Sequence, residues 1–354
     1  MKCRVCITIS YLQARSYPIY INMKKFLFAS LLGIVMWSCK TDTEECVFQP
    51  PASQKVTVAF ESLEDSLFAF SSKQQLVDFF SRHVALRDVF FNRAGYPNDS
   101  LFINRLFTVF HNPSFDSLRM ETKRVFGNGE ELKKEFELAF TNLRYYYPDF
   151  KIPKIQTVIT GLESDLFVSD TLLIVGLDYY LGANAKYKPD MHKYMQRRYT
   201  QNFVVPSAML LYGIDGRVNE VDPNDKTVLA DMVAYGKAYY FAKHMLPCVA
   251  DSIFLGYTKT EIEGARENQD VIWKHFIDKE VFFKTAKNIK QKYIDERPKT
   301  VEVSDQCPGR IGVWVGWQIV NKYASQNSET LSLQRLMKQA NAQQIFTDSK
   351  YRPK

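Results

Sequence analysis

The amino-acid sequence predicts an α+β fold that is mostly helical. Three observations predict it. Apolar residues recur at helical spacing over most of the chain beyond residue 60. The one convincing run of β-branched and aliphatic residues lies between Ile155 and Leu177. Finally, 46% of the 354 residues are hydrophobic and no tract is of low complexity, which suits one large core.

Met23-Lys24-Lys25 precedes the apolar run Phe26–Trp37, which ends at Ser38-Cys39. A basic start, a short apolar stretch and a small residue before a cysteine make a secretory signal of the bacterial lipoprotein kind. Residues 1–38 are therefore expected to be a removed signal region with its true start at Met23. Cys39 becomes the acylated first mature residue. The apolar run is short for a bilayer span. Residues 39–54, polar with Pro50-Pro51, read as a lipidated tether. Residues 55–354 read as a single globular domain, with a helical part (55–150) and an α+β part (151–354). The mature cysteines besides Cys39 are Cys46, Cys248 and Cys307, and a Cys248–Cys307 disulfide is one possible pairing.

Charge excludes one class of partner. The full chain carries a net +7, but five of its 46 basic residues precede Cys39 with no acid among them; 41 basic then face 39 acidic residues, a net of +2. A nearly neutral mature protein without a basic run is not a nucleic-acid binder.

The elements follow in order. Val56–Phe60 alternates weakly, as a strand would. Lys73–Gly95 places Leu76, Phe79, Phe80, Val84, Val89 and Phe90 at helical spacing. Asp99 or Ser100 caps a helix through Leu101, Ile103, Leu106 and Phe110. Ser114–Phe126 is stopped by Gly127, and Gly129–Tyr147 by Pro148. His83 and His111 are single histidines on Phe-rich helices and read as structural. Ile155–Gly161, Leu166–Val168 and Thr171–Leu177 read as strands of a three- to five-stranded sheet. Tyr199–Tyr212 returns to helix, with Pro206 splitting or kinking it. Thr227–Pro247 is a long helix capped by Asp225 or Thr227. Thr258–Glu280 opens with a capping box, Thr258 and Glu261. Phe283–Tyr293, Ile311–Tyr323 and Leu331–Ile345 complete the helices.

Chemistry-bearing motifs are scarce. No HExxH, HxH or HxxxH occurs, nor a Ser-His-Asp, Cys-His, P-loop or GxGxxG pattern. Lys237 sits mid-helix beside Gly236, where a buried amine of lowered pKa would be a base or Schiff-base nucleophile. Snorkelling or pairing with an acid, Glu267 first, is the bland alternative. Gly236 suggests a close helix crossing. Arg310, after Pro308-Gly309, would either grip an anion or form an internal ion pair. Trp273, Trp314 and Trp317 would make either a glycan-stacking platform or core.

Several of these residues carry a resemblance. Tyr235-Gly236-Lys237, Glu267-Asn268 with Trp273, the run PGRIGVWVGWQIVNKY (Pro308–Tyr323, with Gly312 and Gly316) and the closing Ser349–Pro353 resemble the GldB family of gliding-motility lipoproteins. The likeness runs from about Val56 to the end. It implies an envelope lipoprotein needed for gliding, with no established catalysis. The element order also resembles a degenerate zincin-type peptidase whose helix has lost its histidines: Val233–Lys237 offers no metal ligand. The expectation is a non-catalytic binding or scaffolding protein with no cofactor or metal. Its partners would be the membrane, through acylated Cys39, and other envelope or motility proteins. Lys40 after Cys39 is compatible with the outer membrane, facing the periplasm. Alternatives are a metal-dependent peptidase or other hydrolase with an unrecognised site, or a surface glycan-binding lipoprotein.

Overall fold

The structure, a computed structural model, describes residues 55–353. The signal region, Cys39, Cys46 and the tether lie outside the described residues.

The first strand, β1 (Phe60–Ser62), leads into helices α1 (Glu64–Phe68) and α2 (Lys73–Arg82). Ser72 caps α2 by accepting from the Gln75 N–H at 3.4 Å. The expected long helix to Gly95 breaks at His83 and continues as a short π-helical turn, Leu86–Phe90. Helix α3 (Asp99–Phe110) is capped by Asn98, one residue before the expected caps; its Oδ1 accepts from the Leu101 N–H at 2.9 Å. Helices α4 (Pro113–Phe126) and α5 (Glu130–Tyr146) follow, parted by Gly127 and Gly129 at φ 59° and 80°, a left-handed turn glycine supplies without strain.

Strands β2 (Lys154–Val158), β3 (Leu166–Val168) and β4 (Leu172–Gly176) lie where the β-branched residues predict. The sheet order is β1-β2-β4-β3, parallel except for β3. The weak strand expected at Val56–Phe60 is found a few residues later, as β1, so the sheet draws on both parts of the chain. Phe60 pairs with Ile155 in register, and Ile155 with Leu173. Ile155, Leu173 and Val175 are buried on the face toward α5 and the second-half helices, and Val158 and Ile174 on the face toward the Phe-rich helices that precede α5. A sheet covered on both faces explains the near-continuous apolar strands.

Beyond β4, Asp178 is fully buried. Its carboxylate accepts the backbone N–H of Thr160 at 3.0 Å and of Leu162 at 2.6 Å, which holds Gly161 and Leu162 in left-handed conformation. Burial pushes its pKa up to about 6 against the lowering by these N–H groups.

The second half adds α6 (Lys193–Gln196), α7 (Val204–Ile214), α8 (Val228–Met245), α9 (Asp251–Leu255), α10 (Lys259–Glu267), α11 (Gln269–Asp278), α12 (Lys287–Tyr293), α13 (Ile311–Gln326), α14 (Leu333–Lys338) and α15 (Ala342–Ser349). Pro206 lies in the first turn of α7, where its missing N–H removes no intrahelical bond, so nothing is split. Thr227 caps α8, and Thr258 with Glu261 forms the capping box of α10. The expected helix Thr258–Glu280 is two helices meeting at Asn268, and Leu331–Ile345 is replaced by α14 and α15. α8 runs through the centre of this half, with α13, α7 and α15 against it. Among the described residues no helix is long and apolar enough to cross a membrane.

Candidate functional site

α8 and α13 cross at glycines. A Cβ on Gly236 would fall 2.5 Å from the Gly316 carbonyl oxygen, and one on Gly316 would fall 1.9 Å from the Met232 carbonyl oxygen. Only hydrogen fits, so the two backbones touch. Gly312, one turn earlier on α13, faces the Tyr293 carbonyl oxygen at 2.9 Å in the same sense. The close crossing expected of Gly236 is therefore present, with Gly316 as its counterpart. Trp314 and Trp317 flank it, each only 2% exposed. They are core, and the stacking platform suggested for them is excluded.

Lys237 follows Gly236 on α8 and is 1% exposed. Its ammonium donates to the carbonyl oxygens of Glu220 (2.6 Å), Met337 (3.1 Å) and Gln339 (2.9 Å). Three donors meet three acceptors, so one cation ties the end of α14 and the loop before α8 to the helix centre. Burial draws its pKa down to about 8, opposed by the Glu220 carboxylate. The expected partner Glu267 is not involved. It sits exposed at the end of α10, and its carboxylate takes no part in this cluster. The sequence showed the lysine; carbonyl oxygens carry no residue signature that could have named its partners.

The Pro308-Gly309-Arg310 turn is a second built cluster. Gly309 is forced: a Cβ would lie 1.7 Å from the Arg297 carbonyl oxygen. Tyr257 donates its hydroxyl to the Gly309 carbonyl at 2.7 Å, and Thr300 to that of Pro308 at 2.8 Å. Arg310, left-handed at φ 60°, donates to the Tyr239 hydroxyl at 3.1 Å and approaches Glu296 at 3.8 Å. Glu296 also accepts both Arg198 nitrogens, at 2.6 and 2.8 Å. Burial acts to lower the Arg310 pKa, but Tyr239 and Glu296 prevail and hold it above the usual value. Arg310 is thus the internal ion pair rather than an anion grip.

Trp273 is half-buried and reaches the surface. Phe346 stacks on it with centroids 6.0 Å apart, and Tyr351 meets it edge-on at 5.2 Å. These rings, Ile277, Lys350 and Arg352 line an open groove of about 810 Å³ between α11 and the C-terminal segment. Its charged residues are all cations. Ile277 is 49% exposed, and Phe283, in ring contact with Phe346, is 55% exposed.

Two further features bear on chemistry. At the carboxyl ends of β1, β2 and β4 lies a cavity of about 160 Å³ where Arg119 and Lys123 pair with Asp65 at 3.0 and 3.5 Å. Cys307 is a free, buried thiol whose pKa burial raises to about 12, and Cys248 is disulfide-bonded, so the Cys248–Cys307 pairing does not form. Among the described residues no three His, Cys, Asp or Glu side chains are placed to hold a metal ion.

The family model described as gliding motility protein GldB matches residues 45–353. The chain belongs to the GldB family. Membership in this lipoprotein family places it among envelope lipoproteins associated with gliding motility. No curated protein and no solved structure matches. The zincin-type layout is not confirmed. In GldB terms, Gly236, Lys237, Gly309, Arg310, Gly312 and Gly316 bind the fold together. Trp273 shapes a surface, and Glu267 stands exposed with no role visible in the structure.

Proposed function

We propose that this GldB-family protein is a lipid-anchored envelope protein that serves gliding by binding other envelope proteins, without catalysing a reaction. Acylated Cys39 holds it at the outer membrane, facing the periplasm. The observation that carries the reading is the groove at Trp273. It brings together Trp273, Tyr351 and Arg352, the three residue types that most often dominate protein–protein binding energy. Exposed Ile277 and Phe283 extend its apolar face. Lys237 supports the non-catalytic part. Its buried ammonium donates to three carbonyl oxygens, acceptors that favour the charged form, and that form has no lone pair with which to act as a base or nucleophile.

The test is complementation in a gliding host lacking its own copy. Wild type restores spreading. Cys39→Ala and the surface pair Ile277→Lys with Arg352→Glu leave the protein folded but do not restore it. Normal spreading of the deletion strain would sink the motility role; full rescue by the groove variant would sink the groove as the binding face.

A further inference from the structure

A second groove lies toward the C-terminal end of α8, with walls from α5, α13 and α14. Tyr145 and Tyr146 at the end of α5, Tyr240 and His244 on α8, Asn321 on α13 and Gln334 on α14 line an open space of about 590 Å³. Three serines between 325 and 332 complete its polar rim. Its composition differs from that of the other pockets described. No Asp, Glu, Lys or Arg lines it, whereas the strand-end cavity and the Trp273 groove both carry charged side chains. His244 adds no charge at neutral pH. Its Nδ1 lies 2.8 Å from the Tyr240 carbonyl oxygen, and burial lowers its pKa. The imidazole, donating through Nδ1 to that carbonyl, keeps Nε2 as an acceptor.

The rings are arranged as surfaces. Tyr240 lies 4.3 Å from His244, and Tyr146 meets His244 edge-on at 5.6 Å. Tyr145, 51% exposed, stands edge-on to Tyr146 at 5.0 Å. An exposed phenol ring beside amides and hydroxyls presents an apolar face together with donors and acceptors. An ion would find no counter-charge there. Gln334 Nε2 already donates to the Tyr146 carbonyl, Ser325 to the Lys322 carbonyl, and Ser332 caps α14, but the Asn321 amide has no hydrogen-bond partner among the described residues, and a purely apolar ligand would leave it unpaired. A pyranose ring meets both demands, with its C–H face on the tyrosines and its hydroxyls on Asn321, Gln334 and the serines. We propose that this groove binds a neutral saccharide, either free or as the end of a glycan chain. The proposal is independent of the Trp273 groove and of the motility role. A proline-rich peptide also uses aromatic walls, but it lacks the donors that this density of amide and hydroxyl groups calls for.

The experiment uses the full chain in a non-glycosidic detergent. Saturation-transfer difference NMR is run with neutral trisaccharides of glucose, xylose, mannose and N-acetylglucosamine. A trisaccharide of galacturonic acid and a proline-rich decapeptide serve as contrasts. At least one neutral sugar is expected to show transfer, at a Kd between about 10 μM and 1 mM, the range typical of a shallow site and about 4–7 kcal/mol. Tyr145→Ala and Asn321→Asp are each expected to weaken it at least tenfold without moving the Tm, because both sites are at the rim. The polymeric glycan from which the bound sugar derives then separates chain-end recognition from free sugar by competition. Transfer to none of the neutral sugars, preference for the charged sugar or the peptide, or binding unchanged in both variants overturns the proposal.

Discussion

Gly316→Ala adds one methyl group where α8 and α13 touch. That carbon would sit 1.9 Å from the Met232 carbonyl oxygen and 2.4 Å from its carbonyl carbon. A close C···O contact is about 3.3 Å, so the helices must part by more than an ångström. The obstructing atoms are backbone of α8 and cannot rotate aside. Overpacking of this kind costs about 3 kcal/mol at the upper end of its usual range. Alanine returns about 1 kcal/mol of helix propensity over glycine. The net loss is about 2 kcal/mol, or a fall in Tm of about 3 °C for a domain of roughly 300 residues. Gly264→Ala is the control, since the same substitution in α10 meets no atom within 4 Å. It is expected to gain about 0.5–1 kcal/mol. Both are read by thermal unfolding followed by circular dichroism. If Gly316→Ala melts within a degree of wild type, the crossing does not depend on direct backbone contact and the reasoning fails.

Other outcomes follow from the same structure. Lys237→Met leaves three carbonyl oxygens without their donor and is expected to cost about 3 kcal/mol or more, checked by urea midpoint. The folded-state pKa of Lys237 is about 8, below its ordinary value of 10.5. Between these values the unfolded chain holds more protons, so stability rises with pH over that window, and the rise vanishes in Lys237→Met. Asp178 works in the opposite direction. Its folded pKa of about 6 exceeds the ordinary 3.8, so its contribution falls as pH climbs from about 4 to 6, and Asp178→Asn removes that slope. Cys307, buried with a pKa near 12, is expected to resist iodoacetamide at pH 8 until the protein is unfolded; mass spectrometry of the alkylated peptide checks this.

The sequence by itself determined the fold class, the strands of the sheet, the capping of α8 and α10, and the family. These are local matters or repeated patterns: periodicity marks a buried face, a threonine before a helix accepts its first free N–H, and a glycine-rich apolar run is legible as a string. Helix breaks at His83 and Asn268 escaped it because periodicity persists across a short interruption. Tertiary structure alone decided what each signature residue does. Gly236 finds its reason 80 residues away in Gly316, and Lys237 is satisfied by backbone oxygens that every residue type possesses. Glu267, the plausible partner by chemistry, stays in solvent because α10 ends facing away. Both surface grooves belong to this second kind of knowledge. Their walls come from helices distant in the chain, and only packing around α8 and α11 sets the rings side by side.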